Sequence, residues 1–308
     1  MSQNQLPLLV ICGPTASGKT AWAVELAKQY PLEIISADSR QVYRQMDIGT
    51  AKATAMEQAQ IPHHMIDLIE PDEEFSVADF VDQARPLIDK IHQSGKLPCV
   101  VGGTGLYIRA LLGGLAPVPS ADEALRAELH QREITSGAGT LHQELQKVDP
   151  LSAAAIHPNN LIRLVRALEV FHLTGQRLSE LQAGHRFAEQ PYRVLKLAPH
   201  LDREALYRKI DSRAGQMLEE GLIAETEGLV ARYSVDLKAL QTLGYREVLD
   251  FLAGQLDAVQ LLDKIAQHTR QYAKRQLTWF RKEPEIIWVD SLSESGRVLR
   301  SIDKFLLL

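Results

Sequence analysis

The segment Gly13-Pro14-Thr15-Ala16-Ser17-Gly18-Lys19-Thr20 fits the spacing G-x-x-x-x-G-K-[ST] of a phosphate-binding loop. Consecutive backbone N–H groups of such a loop converge on an anion, and the positive end of the following helix adds to the attraction. Lys19 supplies a compact cation for the outer phosphate, and the hydroxyl of Thr20 can ligate Mg²⁺. The loop specifies a phosphorylated ligand without naming it. Nucleotides and simple diphosphates fit equally well.

Three further groups of residues can share that chemistry. Asp38 stands where an apolar run ends, a position from which a carboxylate can take a proton, hold a metal or merely cap a turn. Gly102-Gly103-Thr104-Gly105 closes another apolar run, and its glycines would let backbone approach a ligand beside the Thr104 hydroxyl. Between Lys264 and Lys282 lie Lys264, Arg270, Lys274, Arg275, Arg281 and Lys282 with no acidic residue, interleaved with Tyr272, Trp279 and Phe280. Cations with aromatics suit phosphate backbones and unpaired bases, unless the rings simply pack inward.

The elements that must position these groups read as an α/β pattern. Leu8–Cys12, Leu32–Ala37 and Leu97–Val101 are short apolar strands, separated by helical periods over Lys19–Tyr30 and from Phe75 toward His92, with Ser76 as a cap. Strand–helix alternation implies a parallel sheet flanked by helices, with Asp38, the glycine turn and the phosphate loop at its carboxyl edge. After a linker at Ala116–Ser120 the pattern is helical, over Ala121–Ser136, Leu141–Val148 and Leu161–Thr174, without a convincing strand. Val194–Leu197 then returns as a strand, Arg203–Val230 reads as one helix or two, Val259–Arg281 as the last clear helix, and Ile286–Val289 as a late strand. The expected organisation is a core in two parts, 1–118 and 191–308, around an inserted helical domain at 119–190.

Bulk properties narrow the classes. The chain has 308 residues and a formal net charge of −5, which argues against non-specific coating of nucleic acid while leaving local basic surfaces possible. No apolar run is long enough for a membrane span, and the polar start lacks the order of a secretion signal, so a cytoplasmic location is expected. Cys12 and Cys99 both sit inside apolar runs and read as small buried hydrophobes. Nothing implies a protein partner, and a monomer is expected.

Taken together, several segments make the chain resemble the bacterial tRNA dimethylallyltransferase (isopentenyltransferase) family. They are the phosphate loop, Asp38-Ser39-Arg40-Gln41-Val42-Tyr43, Asp47-Ile48-Gly49-Thr50-Ala51-Lys52, Pro62-His63-His64-Met65-Ile66-Asp67 and Gly102-Gly103-Thr104-Gly105-Leu106-Tyr107. Arg166-Ala167-Leu168-Glu169-Val170, Gly244-Tyr245-Arg246 and the run Thr269 to Trp279 follow in the family's order.

The resemblance implies a P-loop NTPase-like fold and transfer of a dimethylallyl group from dimethylallyl diphosphate to N6 of the adenosine 3′ of the tRNA anticodon. It implies that Gly13, Thr15, Ala16, Ser17, Gly18, Lys19 and Thr20 hold the diphosphate, with Mg²⁺ on Thr20. Asp38 matches the family's general base, Thr104 a hydroxyl near the departing oxygen, and Arg213 a diphosphate-neutralising arginine. Contacts to the tRNA anticodon stem-loop are implied for Asp38, Ser39, Arg40, Gln41, Arg163, Arg166, Gln241, Gly244, Tyr245, Arg246, Lys274, Arg275, Gln276, Thr278, Trp279 and Arg281. Ile162 departs from the pattern, because the family usually has glutamine there.

A P-loop kinase of small molecules or nucleotides is the chief rival, and it leaves the basic segment without a task. A prenyltransferase acting on free adenylate, and a nucleotide-gated RNA-binding module without chemistry, are the others.

Overall fold

The computed structural model describes residues 5–185, 187–290 and 295–307. Within them the chain forms two compact units, Met1–Leu112 with Gln190–Leu308, and Gly113–Glu189. The first unit begins with β1 (Leu6–Cys12), α1 (Lys19–Ala27), β2 (Leu32–Ser36), α2 (Ala55–Gln60), β3 (His63–His64), α3 (Val77–Gln93), β4 (Leu97–Gly102) and α4 (Gly105–Gly113). The second unit is helical: α5 (Glu123–Ser136), α6 (Thr140–Val148), α7 (Pro150–Ala155), α8 (Leu161–Thr174) and α9 (Leu178–His185). The chain then completes the first unit with β5 (Tyr192–Pro199), α10 (Arg203–Glu219), α11 (Leu222–Val230), α12 (Tyr245–Leu252), α13 (Ala258–Phe280), β6 (Ile287–Val289) and α14 (Ser295–Leu306).

The six strands pair in the order β3-β2-β4-β1-β5-β6, all parallel. Leu8 through Ile11 are fully buried on both faces, which is why β1 reads as an unbroken apolar run and not an alternating one. On one face Leu9 and Ile11 pack with Trp22 and Leu26 of α1 and with Val298 and Ile302 of α14. Cys12 and Cys99 are free and buried, and burial pushes the Cys12 thiol up to about 12. Both behave as apolar filling.

The return strand is longer than its apolar segment suggested, and it pairs with β1 from Leu6↔Tyr192 to Ile11↔Leu197. Arg203–Val230 divides in two because Gly221 takes a left-handed conformation, φ 103°, which ends the first helix. Val259–Arg281 is not the last helix, since α14 follows it. Helices α2, α4, α7, α9 and α12 and strand β3 also lie beyond the elements expected. Most are short, and Gly105 and Gly244 disguise the starts of α4 and α12 as turns. For α2 the signal was present: Thr54 and Glu57 form a reciprocal capping box.

The helical unit has its own core, in which Leu129, Leu141, Leu145, Leu164 and Leu168 are fully buried. Its polar centre is Glu169, 0% exposed, which accepts the Asp122 amide and pairs with Arg126 and Arg166. No helix among the described residues is long and apolar enough to cross a membrane.

Candidate functional site

Strand β1 delivers the phosphate loop to the carboxyl edge of the sheet. The loop turns through Gly13, Ala16 and Gly18, whose φ angles of 141°, 62° and 87° are all positive. Glycine takes such angles without the Cβ clash that other residues meet. Inside the turn the Pro14 carbonyl accepts both the Lys19 ammonium at 2.6 Å and the Ser17 hydroxyl at 2.9 Å. Burial, then the positive field of Arg213, pushes Lys19 down to about 8, against the pull of Asp38. Burial also lowers Arg213, again opposed by Asp38. Two cations and one carboxylate thus face a common space, and an anion entering it would relieve the repulsion between the cations.

Asp38 follows β2 directly, its Oδ1 accepting the Arg40 amide at 2.9 Å. The Thr104 hydroxyl accepts the Ser39 amide at 3.1 Å, so the turn after β4 supports the turn after β2. The glycines around Thr104 make room for protein, and Gly102 and Gly103 also line the first of two chambers described below. A Cβ on Gly102 would strike the Ala37 carbonyl, one on Gly103 the Gln276 amide, and one on Gly105 the Trp279 ring.

Two chambers open on this crevice, of about 620 and 650 Å³. The first is lined by Lys19, Thr20, Ser36, Lys52 and Asp67 among others, and the second by Arg40, Gln241, Arg246, His268 and Arg275. Thr15, Asp38, Thr50, Arg213, Met217 and Tyr272 line both. Asp38 therefore stands where the chambers meet. In the wall of the first, His63 Nδ1 is bonded to the Ile61 carbonyl, and Nε2 is buried without a protein partner. Burial lowers the pKa of this imidazole, so the orphan nitrogen is an acceptor.

Helix α13 confirms its basic surface and corrects its aromatics. Lys264, Lys274, Arg275, Arg281 and Lys282 are exposed, while Arg270 pairs with Asp211. Phe280 is buried, and Trp279 is covered by the Arg109 guanidinium at 4.3 Å from its ring centre. Of the three rings, Tyr272 lines both chambers.

Four residues expected at an RNA surface are committed elsewhere. Gln276 is 6% exposed, accepting the Thr15 amide at 2.8 Å and donating to the Gly103 carbonyl at 2.9 Å. It braces the phosphate loop. Tyr245 is 0% exposed, with its hydroxyl on Glu225, and Gly244 is buried beside it. Arg166 is held by Glu169 and the Pro119 carbonyl inside the helical unit. Arg163, by contrast, is exposed, and so are Gln241, Arg246 and Thr278. Sequence reasoning missed the bracing role of Gln276 and passed over Glu225, Gln41's inward bonds and His63. A lone glutamine or glutamate carries no signal without the fold that faces it.

The chain matches the family described as IPP transferase over residues 41–283 and that described as isopentenyl transferase over residues 6–67. It is 52% identical to tRNA dimethylallyltransferase 1 of Syntrophotalea carbinolica, covering 97% of this chain and 96% of that one. The structure is similar to the tRNA isopentenylpyrophosphate transferase of Bacillus halodurans, with a TM-score of 0.72, 44% identity, and 97% and 96% of the two chains covered. A eukaryotic dimethylallyltransferase acting on tRNA gives a TM-score of 0.82 at 29% identity, covering 96% of this chain and 78% of that one.

Proposed function

Since the chain belongs to the IPP transferase family, we propose that it transfers a dimethylallyl group from dimethylallyl diphosphate to N6 of the adenosine 3′ of the anticodon in tRNA, releasing diphosphate. The observation that carries this reading is the junction of two chambers at Asp38. A transferase needs its donor and acceptor to meet at one base, whereas a hydrolase needs a single chamber and water.

In this reading the first chamber takes the donor. Backbone N–H groups of Ala16 to Thr20, with Lys19 and Arg213, hold the diphosphate and stabilise the charge that grows on the departing oxygen. The second chamber takes the adenine, which must leave its stack; an anticodon loop makes that unstacking cheap. The N6 lone pair attacks the allylic carbon, the N–C bond forms as the C–O bond breaks, and the N6 proton passes to the Asp38 carboxylate. The Thr104 hydroxyl, which accepts the Ser39 amide, keeps its own proton available for the leaving oxygen.

Mg²⁺ fits the residues present, though the protein does not cage it. Among the described residues no group of three or more metal-ligating side chains occurs, so the ion would rest on Thr20, the diphosphate and water. There it would absorb charge from the leaving group.

Half-buried Arg40 and exposed Arg246, Lys274, Arg275 and Arg281 surround the second chamber or extend from it along α13, and they supply phosphate contacts for RNA. Exposed Arg163 gives the helical unit a share in that role. A cytoplasmic monomer belongs to the same proposal.

The test is direct. Purified protein, Mg²⁺ and donor labelled in the dimethylallyl group are incubated with tRNA bearing adenosine beside its anticodon. One labelled group per tRNA is expected. Phosphate transfer from ATP to a metabolite, with no labelled RNA, would instead establish the kinase.

A further inference from the structure

The segment Asp47–Lys52 separates the two chambers. Asp47, Ile48, Ala51 and Lys52 line the first, Gly49 lines the second, and Thr50 lines both. Its conformation is not set by a helix or strand, so other groups must hold it. On the side of Asp38, Gln41 donates to the Thr50 and Ala51 carbonyls while accepting the Ser36 hydroxyl. At its far end Lys52 reaches the Asp47 and Asp67 carboxylates and the Tyr43 carbonyl.

The third hold is Glu225, which comes from α11. Its carboxylate accepts the Asp47 amide at 3.1 Å, the Ile48 amide at 2.9 Å and the Gly49 amide at 3.2 Å. Three successive N–H groups pointing one way form a concave anion site, and here a side chain of the protein itself fills it. The same carboxylate accepts the Tyr245 hydroxyl at 2.6 Å. Burial and the neighbouring carboxylate push that phenol far above its ordinary pKa, so it remains a donor. The ring lies so close to Gly49 that a Cβ there would stand 2.4 Å from it. Tyr245 in turn belongs to the stretch Gln241–Arg246, which walls the second chamber.

We propose that Glu225 is a positioning residue that fixes the partition between the chambers and, through the Tyr245 hydroxyl, ties it to the wall of the second. Occupation of the second chamber is thereby felt in the first. The carboxylate touches neither substrate; it acts through the backbone of 47–49. This rests on the two-substrate reading above. It adds a prediction that reading does not make: ligands of the two chambers bind with a mutual dependence that runs through one hydrogen bond.

Tyr245→Phe is the sharpest probe, because it keeps the ring against Gly49 and removes the hydroxyl alone. Glu225→Gln keeps the shape and one acceptor oxygen. Inorganic diphosphate probes the first chamber and an anticodon stem-loop RNA the second, each titrated by calorimetry with and without the other. The wild type is expected to bind diphosphate several-fold more tightly with RNA present.

Tyr245→Phe is expected to bind each probe alone as the wild type does, to lose the mutual enhancement, and to show kcat lower by about tenfold with the donor KM at saturating RNA raised several-fold. Glu225→Gln is expected to lose the enhancement too, with kcat intermediate between the two. Wild-type coupling and kcat in Tyr245→Phe would overturn the proposal. So would a parallel fall in melting temperature, both affinities and kcat, which marks a merely structural bond. Failure of the wild type to prenylate RNA overturns the functional reading; failure of its two probes to couple overturns this proposal whether or not prenylation is seen.

Discussion

The two chambers are close in volume, about 620 and 650 Å³, yet their walls are built differently. In the first, polar groups are tied to one another over short range: Lys19 and Ser17 to the Pro14 carbonyl, Gln41 to Thr50 and Ala51, Lys52 to Asp47 and Asp67. In the second, half-buried Arg40 and exposed Gln241, Arg246 and Arg275 supply long side chains, Arg246 anchored on Glu247 and Gln241 on the Val235 carbonyl. A pre-organised wall suits a small anion of fixed geometry. Long exposed cations suit a larger polyanion whose surface they must follow. The proposed function gives the first chamber to the donor and the second to the RNA, and the difference in charge and reach between the walls supports that division.

Substitutions that separate the chambers test this assignment. The largest effect is expected where they meet. Asp38→Asn should lower transfer by roughly 10³-fold while diphosphate and RNA still bind, as measured by single-turnover kinetics beside equilibrium titration. Turnover at the wild-type rate would remove Asp38 as the base. Next in size, Lys19→Ala should weaken diphosphate binding by about 100-fold and spare RNA, since it deletes a charge-assisted contact. Weakened RNA binding in that variant would mean that the chambers are not distinct.

Reversing charge at Lys274 and Arg275 should do the opposite. RNA affinity should fall by about tenfold at low salt, and the slope of log affinity against log salt should flatten by about two. A matching loss of diphosphate binding would point to misfolding.

The smallest effect is one of pH. Lys19 sits at about 8 in the free protein, and bound diphosphate favours its ammonium form. Above that pH the free protein has lost the proton, so binding must take one up, and affinity declines as pH rises. Below it the ammonium is already present and affinity is level. Calorimetry in buffers of different ionisation heat should show proton uptake on the alkaline side. Affinity that stays constant as pH passes through Lys19's value would refute the lowered lysine.

What was legible from sequence follows the range of the interactions. The phosphate loop was legible because its parts are contiguous: Gly18 turns left-handed immediately before Lys19 opens α1. Asp38 was placed because a parallel sheet gathers its strand ends on one edge. Gln276 was misread because its partners, Thr15 and Gly103, are 261 and 173 residues away. Seen from sequence it is one more polar residue on a basic helix. Tyr245 failed for the same reason, since its burial depends on Glu225 and Gly49. Trp279 and Phe280 have the right spacing for stacking on bases, but nothing local reports that Arg109 covers the first and the core takes the second.

Gln276 also bears on how such a protein can diverge. One carboxamide serves as acceptor at one end and donor at the other, between two backbones that cannot change their polarity. Glutamate would set an anionic oxygen against the Gly103 carbonyl, and asparagine falls one methylene short of spanning the gap. Neither of these replacements satisfies both partners. Its exposed neighbours Lys274, Arg275 and Thr278 carry no such double obligation. Their side of the helix is free to drift with the nucleic acid it meets, while the buried side is held to one residue by the loop it braces.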